Sequence, residues 1–209
     1  MTKQGINRRT FLFGSLASIA TSCKLIEHRH SLPPPNILWI TCEDMGPNLG
    51  FLGDQYARTP NLDRLASESI YFENAFATSP TCSPARSCLI TGVYATSLGT
   101  QNLRSRFPIP SFMKGFPSYL RQHGYWCSNN VKTDYNTSNE KEIIRASWDE
   151  CSKKAHWRNR KPGQRFFSVF NDMTTHQSRS MVWPYERFKK EVQSQLSKKE
   201  IHDPAEAPV

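Results

Sequence analysis

The sequence predicts an α/β fold in which a parallel or mixed sheet is covered by helices. Two continuous apolar runs, 36–42 and 166–172, are each bounded by turn-forming residues, a pattern typical of strands buried on both faces of an α/β sheet. Residues 125–131 are a third strand candidate, and helical patterns lie between the strands. A chain of 209 residues is long enough for one domain with a substantial core.

The beginning of the chain predicts an export signal. Arg8 and Arg9 precede a run of apolar and small residues, 13–20, that is too short to cross a bilayer. The paired arginines resemble a bacterial twin-arginine signal, and Cys23 resembles the cysteine of a lipoprotein box in which alanine replaces the usual leucine. We expect a signal segment at 1–30 and a catalytic region at 31–209. The expected location is periplasmic or on the outer surface of a bacterium, and lipidation at Cys23 is left open. The alternative to an export signal is a frayed basic tail.

Composition narrows the classes of partner. The chain carries 27 Lys and Arg against 18 Asp and Glu, a formal charge of +9, which suits a polyanionic substrate and would also suit nucleic acid. The basic segment 153–165 contains no acid, and we interpret it as solvated surface, so no nucleic acid partner is expected. The six cysteines lack both the dense spacing of a disulfide framework and a Cys-x-x-Cys zinc pair.

The first strand, 36–42, ends at two adjacent carboxylates, Glu43 and Asp44. Ligands of open α/β sheets bind beyond the carboxyl ends of the strands. Adjacent carboxylates there can bind a hard divalent cation through oxygen, whereas a solvated acidic turn is the alternative.

A helix is predicted at 59–69, then a short strand at 70–72, and then the stretch 78–92. Pro84 is tolerated in the first turn of a helix, so a helix is expected from Ser83 or Pro84 to about Thr91, ended by Gly92. Cys82 would lie at its N-terminus, where free N–H groups favour an anion and Arg86 adds a positive charge. We therefore predict a reactive side chain held against an oxyanion, with a buried structural thiol as the alternative.

The remaining elements present two more candidate side chains. Residues 94–106 are predicted to be a loop and 116–123 a helix, after which the strand 125–131 leads to Lys132. The strand 166–172 is followed by His176, and 183–199 is predicted to be an exposed helix. Without other information, Lys132 would be a solvated lysine and His176 a structural histidine.

The segment 82–92, CSPARSCLITG, resembles the signature of the type I sulfatases, Cys-x-Pro-x-Arg followed by Ser-x-Leu-x-Thr-Gly. The resemblance covers most of residues 36–176 and implies an alkaline-phosphatase-like fold. It also implies that a separate formylglycine-generating enzyme oxidises Cys82 to formylglycine. One oxygen of the hydrated aldehyde would attack the sulfur of a sulfate ester as the alcohol leaves, and the second would lose its proton and expel sulfate.

The resemblance also implies the roles of individual residues. Asp44 matches the second member of an Asp-Asp pair that binds calcium or magnesium, whereas Glu43 departs from the first. Cys82, as formylglycine, would be nucleophile and metal ligand, and Arg86 would hold it. Lys132 and His176 would contact the sulfate.

The family completes its metal site with a later Asp-Asn pair and a lysine, and this sequence contains no Asp-Asn. We therefore expect a truncated sulfatase that is inactive by itself. The predicted function is hydrolysis of a sulfate ester, with a sulfated carbohydrate as the expected substrate. The alternatives are a phosphoryl or phosphonate hydrolase of the same fold and a non-catalytic protein that binds sulfated glycans.

Overall fold

The computed structural model describes residues 33–179, 184–191 and 193–195. Their helices and strands all lie in the compact unit formed by residues 36–209. The strands are β1 Ile37–Cys42, β2 Trp126–Asn130, β3 Glu150–Cys151 and β4 Phe166–Asp172. The α-helices are α1 Pro60–Ser67, α2 Cys82–Thr91, α3 Ala95–Leu98, α4 Pro117–Gln122, α5 Glu140–Ser147 and α6 Tyr185–Glu191. Short 3₁₀ turns occur at Gly50–Leu52, Trp157–Asn159, Gln177–Arg179 and Gln193–Gln195.

The four strands form one parallel sheet in the order β1-β4-β2-β3. Cys42 pairs with Asp172, and Asn130 pairs with Phe170. Because all pairs are parallel, the carboxyl ends of β1, β4 and β2 lie at the same edge of the sheet. The parallel α/β architecture predicted from the sequence is confirmed.

An aromatic core packs on one face of the sheet. Phe167 of β4 is 2% exposed, and its ring lies 5.3 Å from that of Phe116 and 5.9 Å from that of Trp148. Ile90 of α2 belongs to the same buried cluster, and its carbonyl accepts the backbone N–H of Phe116 at 2.8 Å. Burial of these large apolar side chains fixes α2 against the sheet.

The prediction that β1 is buried on both faces is wrong. Its residues alternate in burial: Trp39 and Thr41 are half-buried, whereas Leu38 is 49% exposed and Ile40 is 63% exposed. β1 lies at the edge of the sheet, and the described residues cover only one of its faces. β4 lies between two neighbours, and its residues Phe167, Ser168 and Val169 are buried in succession, as predicted for this strand.

The structure corrects two local predictions and describes a third only in part. Residues 70–72 form no strand, and Ile70 and Phe72 are 83% and 74% exposed, because no strand among the described residues pairs with them. The loop predicted at 94–106 contains the single turn of α3. The predicted exposed helix 183–199 is described only in part, with Tyr185–Glu191 helical. Helix α5 and strand β3 were not predicted.

The predicted signal segment 1–30, including Cys23, lies outside the described residues. Within the part of the chain that is described, every helix is too short or too polar to cross a membrane.

Candidate active site

Helix α2 begins at Cys82, one or two residues before the predicted start at Ser83 or Pro84. Thr81 has an extended backbone, with φ −138° and ψ 149°, and its carbonyl accepts the N–H of Ala85 at 3.0 Å. The helix ends where predicted, because Gly92 adopts φ 70° and donates its N–H to the carbonyl of Cys88 at 2.8 Å. The half-buried Cys82 side chain is thereby placed in the first turn of the helix.

A cleft of about 880 Å³ opens at the carboxyl edge of the sheet, beside the first turn of α2. The turns that follow β1, β2 and β4 contribute to its wall, which is where ligands bind in α/β sheets. The structure brings all of the predicted site residues to this cleft: Glu43, Asp44, Cys82, Arg86, Lys132 and His176.

Glu43 is paired with two cations of the cleft, Lys132 and Arg86. Its Oε2 lies 2.5 Å from Nζ of Lys132, and its Oε1 lies 3.3 Å from Nη1 of Arg86. Glu43 is only 9% exposed. Its own N–H donates to the carbonyl of Asp172 at 3.0 Å, and the hydroxyl of Thr175 donates to its carbonyl. One carboxylate therefore faces two positive charges, so this group keeps a net positive charge that favours an anion.

Arg86 joins helix α2 to the ends of two strands. Its Nε donates to the carbonyl of Thr133 at 2.6 Å, and its Nη2 donates to the carbonyl of Lys132 at 2.5 Å and to Oδ1 of Asn171 at 3.0 Å. Its side chain is 11% exposed. A planar guanidinium with several fixed donors suits this arrangement, and it holds the backbone that carries Lys132.

Asn171, near the end of β4, is a site residue that the sequence analysis missed. Its Oδ1 accepts from Arg86 and from the hydroxyl of Thr41 at 3.0 Å, while its Nδ2 donates to Oδ1 of Asn129 at 2.9 Å and to the carbonyl of Asn130 at 3.2 Å. Asn171 therefore connects β1, β2 and α2 beneath the cleft. The available signal was an amide near the carboxyl end of a buried strand.

Arg104 was also missed as a residue of the cleft wall. Its N–H donates to the hydroxyl of Ser83 at 3.2 Å, and that hydroxyl donates to Oδ1 of Asn136 at 3.0 Å. Asn136 is 5% exposed and donates to the carbonyls of Thr100 and Asn102 at 2.6 and 2.8 Å. This buried amide fixes the loop that carries Arg104 beside the start of α2.

His176 and Asp44 both line the cleft, but their side chains have different hydrogen-bond partners. Nδ1 of His176 shares a hydrogen bond with the hydroxyl of Ser178 at 2.7 Å. One ligand atom each of Glu43, Cys82 and His176 lies within 4.8 Å of the other two. Oδ2 of Asp44 instead accepts the N–H of Gln177 at 2.9 Å, so it joins the end of β1 to the turn after β4.

A parallel sheet that collects a thiol, a histidine and two cations at its carboxyl edge has the features of an α/β domain that handles an anionic group. Residues 35–203 match the family model described as Sulfatase. Because this match covers most of the chain, the chain belongs to the sulfatase family, as predicted from 82–92.

Relatives and solved structures agree with this assignment. The chain is 40% identical over 182 residues to an ulvan-active sulfatase of Formosa agariphila, covering 79% of this chain and 28% of that protein. It is 36% identical over 104 residues to the N-acetylgalactosamine-6-sulfatase of Homo sapiens, covering 44% of this chain and 20% of that protein. A solved 2-O GAG sulfatase superposes with a TM-score of 0.59 at 18% identity, covering 72% of this chain and 37% of that one. That structure supports the predicted fold class, and the chain spans less than a third of either curated relative.

Proposed function

We propose that this chain carries the nucleophile and the sulfate-contacting cations of a sulfuric ester hydrolase whose substrate is a sulfated carbohydrate. The observation that carries the proposal is the single cleft in which Cys82 lies beside His176, Glu43, Lys132 and Arg86. The family membership of the chain supports the proposed reaction. The similarity of the chain to an ulvan-active sulfatase and to an N-acetylgalactosamine-6-sulfatase supports a carbohydrate substrate.

In this proposal, a formylglycine-generating enzyme first converts Cys82 to formylglycine. One hydroxyl of the hydrated aldehyde loses its proton to solvent and attacks the ester sulfur, and the bond from sulfur to the alcohol oxygen breaks. The alcohol takes up a proton, for which His176 is the proposed donor. The second hydroxyl then loses its proton and expels sulfate, which restores the aldehyde.

Of the two cations Lys132 and Arg86, Lys132 is the one that acts on the sulfate oxygens. Its ammonium lies 2.5 Å from Oε2 of Glu43, whereas Arg86 contributes a fixed charge and holds the backbone of Lys132. Fixed donors aimed at a charged group stabilise it without reorganisation, which is the largest contribution in many enzymes. Arg86 is therefore a positioning residue, and Lys132 is the direct sulfate contact.

A calcium or magnesium ion is expected in the family, with Glu43, Asp44 and Cys82 as the candidate ligands. Both oxygens of Glu43 pair with Lys132 and Arg86, and Oδ2 of Asp44 accepts from Gln177. Calcium takes about six to eight oxygen ligands. The described residues do not fit this ion by themselves, and we assign no step of the reaction to it.

Mass spectrometry of the peptide carrying Cys82 tests the proposal. The chain is produced with and without a formylglycine-generating enzyme, and an aldehyde is expected at Cys82 only with it. Cys88, six residues further along α2, is the internal control and should remain a thiol. An unmodified Cys82 in both samples would contradict the proposal. Retained binding of sulfated glycans would then favour a non-catalytic binding protein, and hydrolysis of a phosphate or phosphonate ester would favour that class of hydrolase.

A further inference from the structure

Glu43, Cys82 and His176 offer an oxygen, a sulfur and a nitrogen ligand that lie within 4.8 Å of one another. They come from three different elements: the end of β1, the start of α2 and the turn after β4. We propose that, while Cys82 is still a thiol, these residues bind a thiophilic divalent cation of the Zn²⁺ type. The inference concerns the unmodified chain and does not depend on sulfate ester hydrolysis.

The spacing suits such an ion. Zinc binds sulfur at about 2.3 Å and nitrogen or oxygen at about 2.0–2.2 Å, so tetrahedral ligands lie roughly 3.3–3.8 Å apart. Ligand atoms within 4.8 Å of one another need to move by only about an ångström to reach this geometry. Three protein ligands leave the fourth position open to water or to an anion from the cleft.

The chemistry of the ligands also favours this class of cation. Thiolate and imidazole select zinc and similar transition metals, whereas calcium and magnesium prefer oxygen. When the ion binds, the thiol sulfur of Cys82 bonds to it and the thiol proton passes to solvent. Oxidation of Cys82 to formylglycine removes this sulfur, so the preferred cation changes with the state of Cys82.

His176 is oriented for this role by Ser178. Nδ1 of His176 lies 2.7 Å from the hydroxyl of Ser178. Nε2 has no hydrogen-bonding partner among the described residues, so it is the nitrogen open to an ion. Nδ1 accepts the backbone N–H of Ser178 at 3.3 Å. Binding of the ion through Nε2 therefore requires the ring proton to move from Nε2 to Nδ1, which then donates to the hydroxyl instead. A hydrogen bond of this kind fixes the tautomer and the ring orientation of a ligand histidine.

Lys132 and Arg86 oppose the incoming cation, because both carry positive charge and both pair with Glu43. Oε1 of Glu43 pairs with Arg86 at 3.3 Å, a looser contact than the 2.5 Å between Oε2 and Lys132. Oε1 is therefore the oxygen more readily shared with a metal. This balance predicts that removing the charge of Lys132 tightens metal binding, which a non-specific thiol site would not show.

Cobalt titration of the full 209-residue chain, made without the modifying enzyme and without a histidine tag, tests the inference. Co²⁺ reports a thiolate ligand through a charge-transfer band, and zinc should displace it. We expect one equivalent of Co²⁺ to produce the band, Cys82→Ser to abolish it, and Glu43→Gln and His176→Gln to weaken binding. Ser178→Ala should weaken it by about 10- to 100-fold, and Lys132→Met should tighten it.

Cys151→Ser is the matched control, because Cys151 is a half-buried thiol outside the cleft and its loss should leave the band unchanged. Cys23, His28 and His30 remain in every variant, so a site that they formed would survive Cys82→Ser. Absence of the band in the wild type, or its persistence in Cys82→Ser, would overturn the inference. An affinity for Co²⁺ in His176→Gln and Glu43→Gln equal to that of the wild type would also overturn it.

Alkylation of the wild-type chain supplies a readout that does not depend on variants folding. Zn²⁺ should slow the reaction of Cys82 with iodoacetamide at least about tenfold, while Cys151 reacts at an unchanged rate, and a chelator should reverse the effect. Equal rates at Cys82 with and without zinc would refute the proposed site.

Discussion

Glu43 differs from the aspartate of the sulfatase pattern by one methylene group, and the structure shows what its side chain reaches. Its carboxylate contacts Lys132 and Arg86 and is nearly buried between them. Removing one partner of such a buried group leaves the others without a counter-ion, which costs more than the loss of an exposed pair. Glu43 is thus an internal counter-ion, and an incoming sulfate would compete with it for Lys132.

Arg86 is predicted to be a stability residue as well as a source of charge. Arg86→Lys keeps the charge but cannot reproduce the hydrogen bonds to Thr133, Lys132 and Asn171. We expect a loss of about 2 kcal/mol in the free energy of unfolding, measured by urea denaturation.

Arg187→Lys is the matched control for this substitution. Arg187 forms an exposed pair with Glu191 at 2.9 Å on α6. Its replacement should change the free energy of unfolding by less than about 0.5 kcal/mol. Equal effects of the two substitutions would show that the bonds of Arg86 do not hold the strand ends together.

At the scale of elements, β2 carries a thiol that links stability to pH. Cys127 is fully buried, and burial first, then the charge of Asp149, raises its pKa from 9.0 to about 12. Because the folded state holds the proton more tightly than the unfolded chain, the stabilisation is present below pH 9.0. It is lost as the pH rises from 9.0 towards 12.

Cys127→Ser removes this contribution because serine does not ionise in that range. Between pH 9.0 and 12, the free energy of unfolding of the wild type should fall faster than that of the variant. The difference should be at most about 1.4 kcal/mol per pH unit. Denaturation curves at several pH values measure it, and parallel pH profiles for the two proteins would contradict the assignment.

The sequence predicted those elements that their own local residue pattern determines. It missed the features that depend on contacts between distant segments. Cys82, Lys132 and His176 could be placed because each lies at the end of a strand or the start of a helix. Asn171 could not, because its role depends on hydrogen bonds to β1, β2 and α2, which only the sheet order brings together. An apolar run indicates a strand, but its neighbours decide how many faces are covered, so the exposure of Leu38 was not predictable.

Short elements were missed for a related reason. Strand β3 has two residues, Glu150 and Cys151, and it forms by pairing with β2 rather than from its own pattern. Residues 70–72 have the opposite property, since their β-forming sequence finds no partner strand among the described residues. Strand formation depends on cross-strand neighbours more than on propensity.

At the scale of the whole molecule, this chain alone is predicted to turn over no aryl sulfate even when Cys82 is converted to formylglycine. The cleft of the described residues offers three carboxylates, Glu43, Asp44 and Asp134, of which the first two are engaged by other groups, whereas calcium requires about six oxygens. Hydrolysis is measured with calcium present. Robust turnover by residues 1–209 would show that the cleft is complete without further ligands.

We propose that Lys132 in this cleft binds sulfate, and a calorimetric titration of sulfate at fixed ionic strength tests this assignment most directly. Lys132→Met should weaken sulfate binding at least about tenfold, and Glu43→Gln should tighten it by a similar factor, because the internal counter-ion is removed. Lys153→Met removes an equal charge from an exposed position and should have little effect. Equal sulfate affinities in Lys132→Met, Glu43→Gln and the wild type would contradict the account.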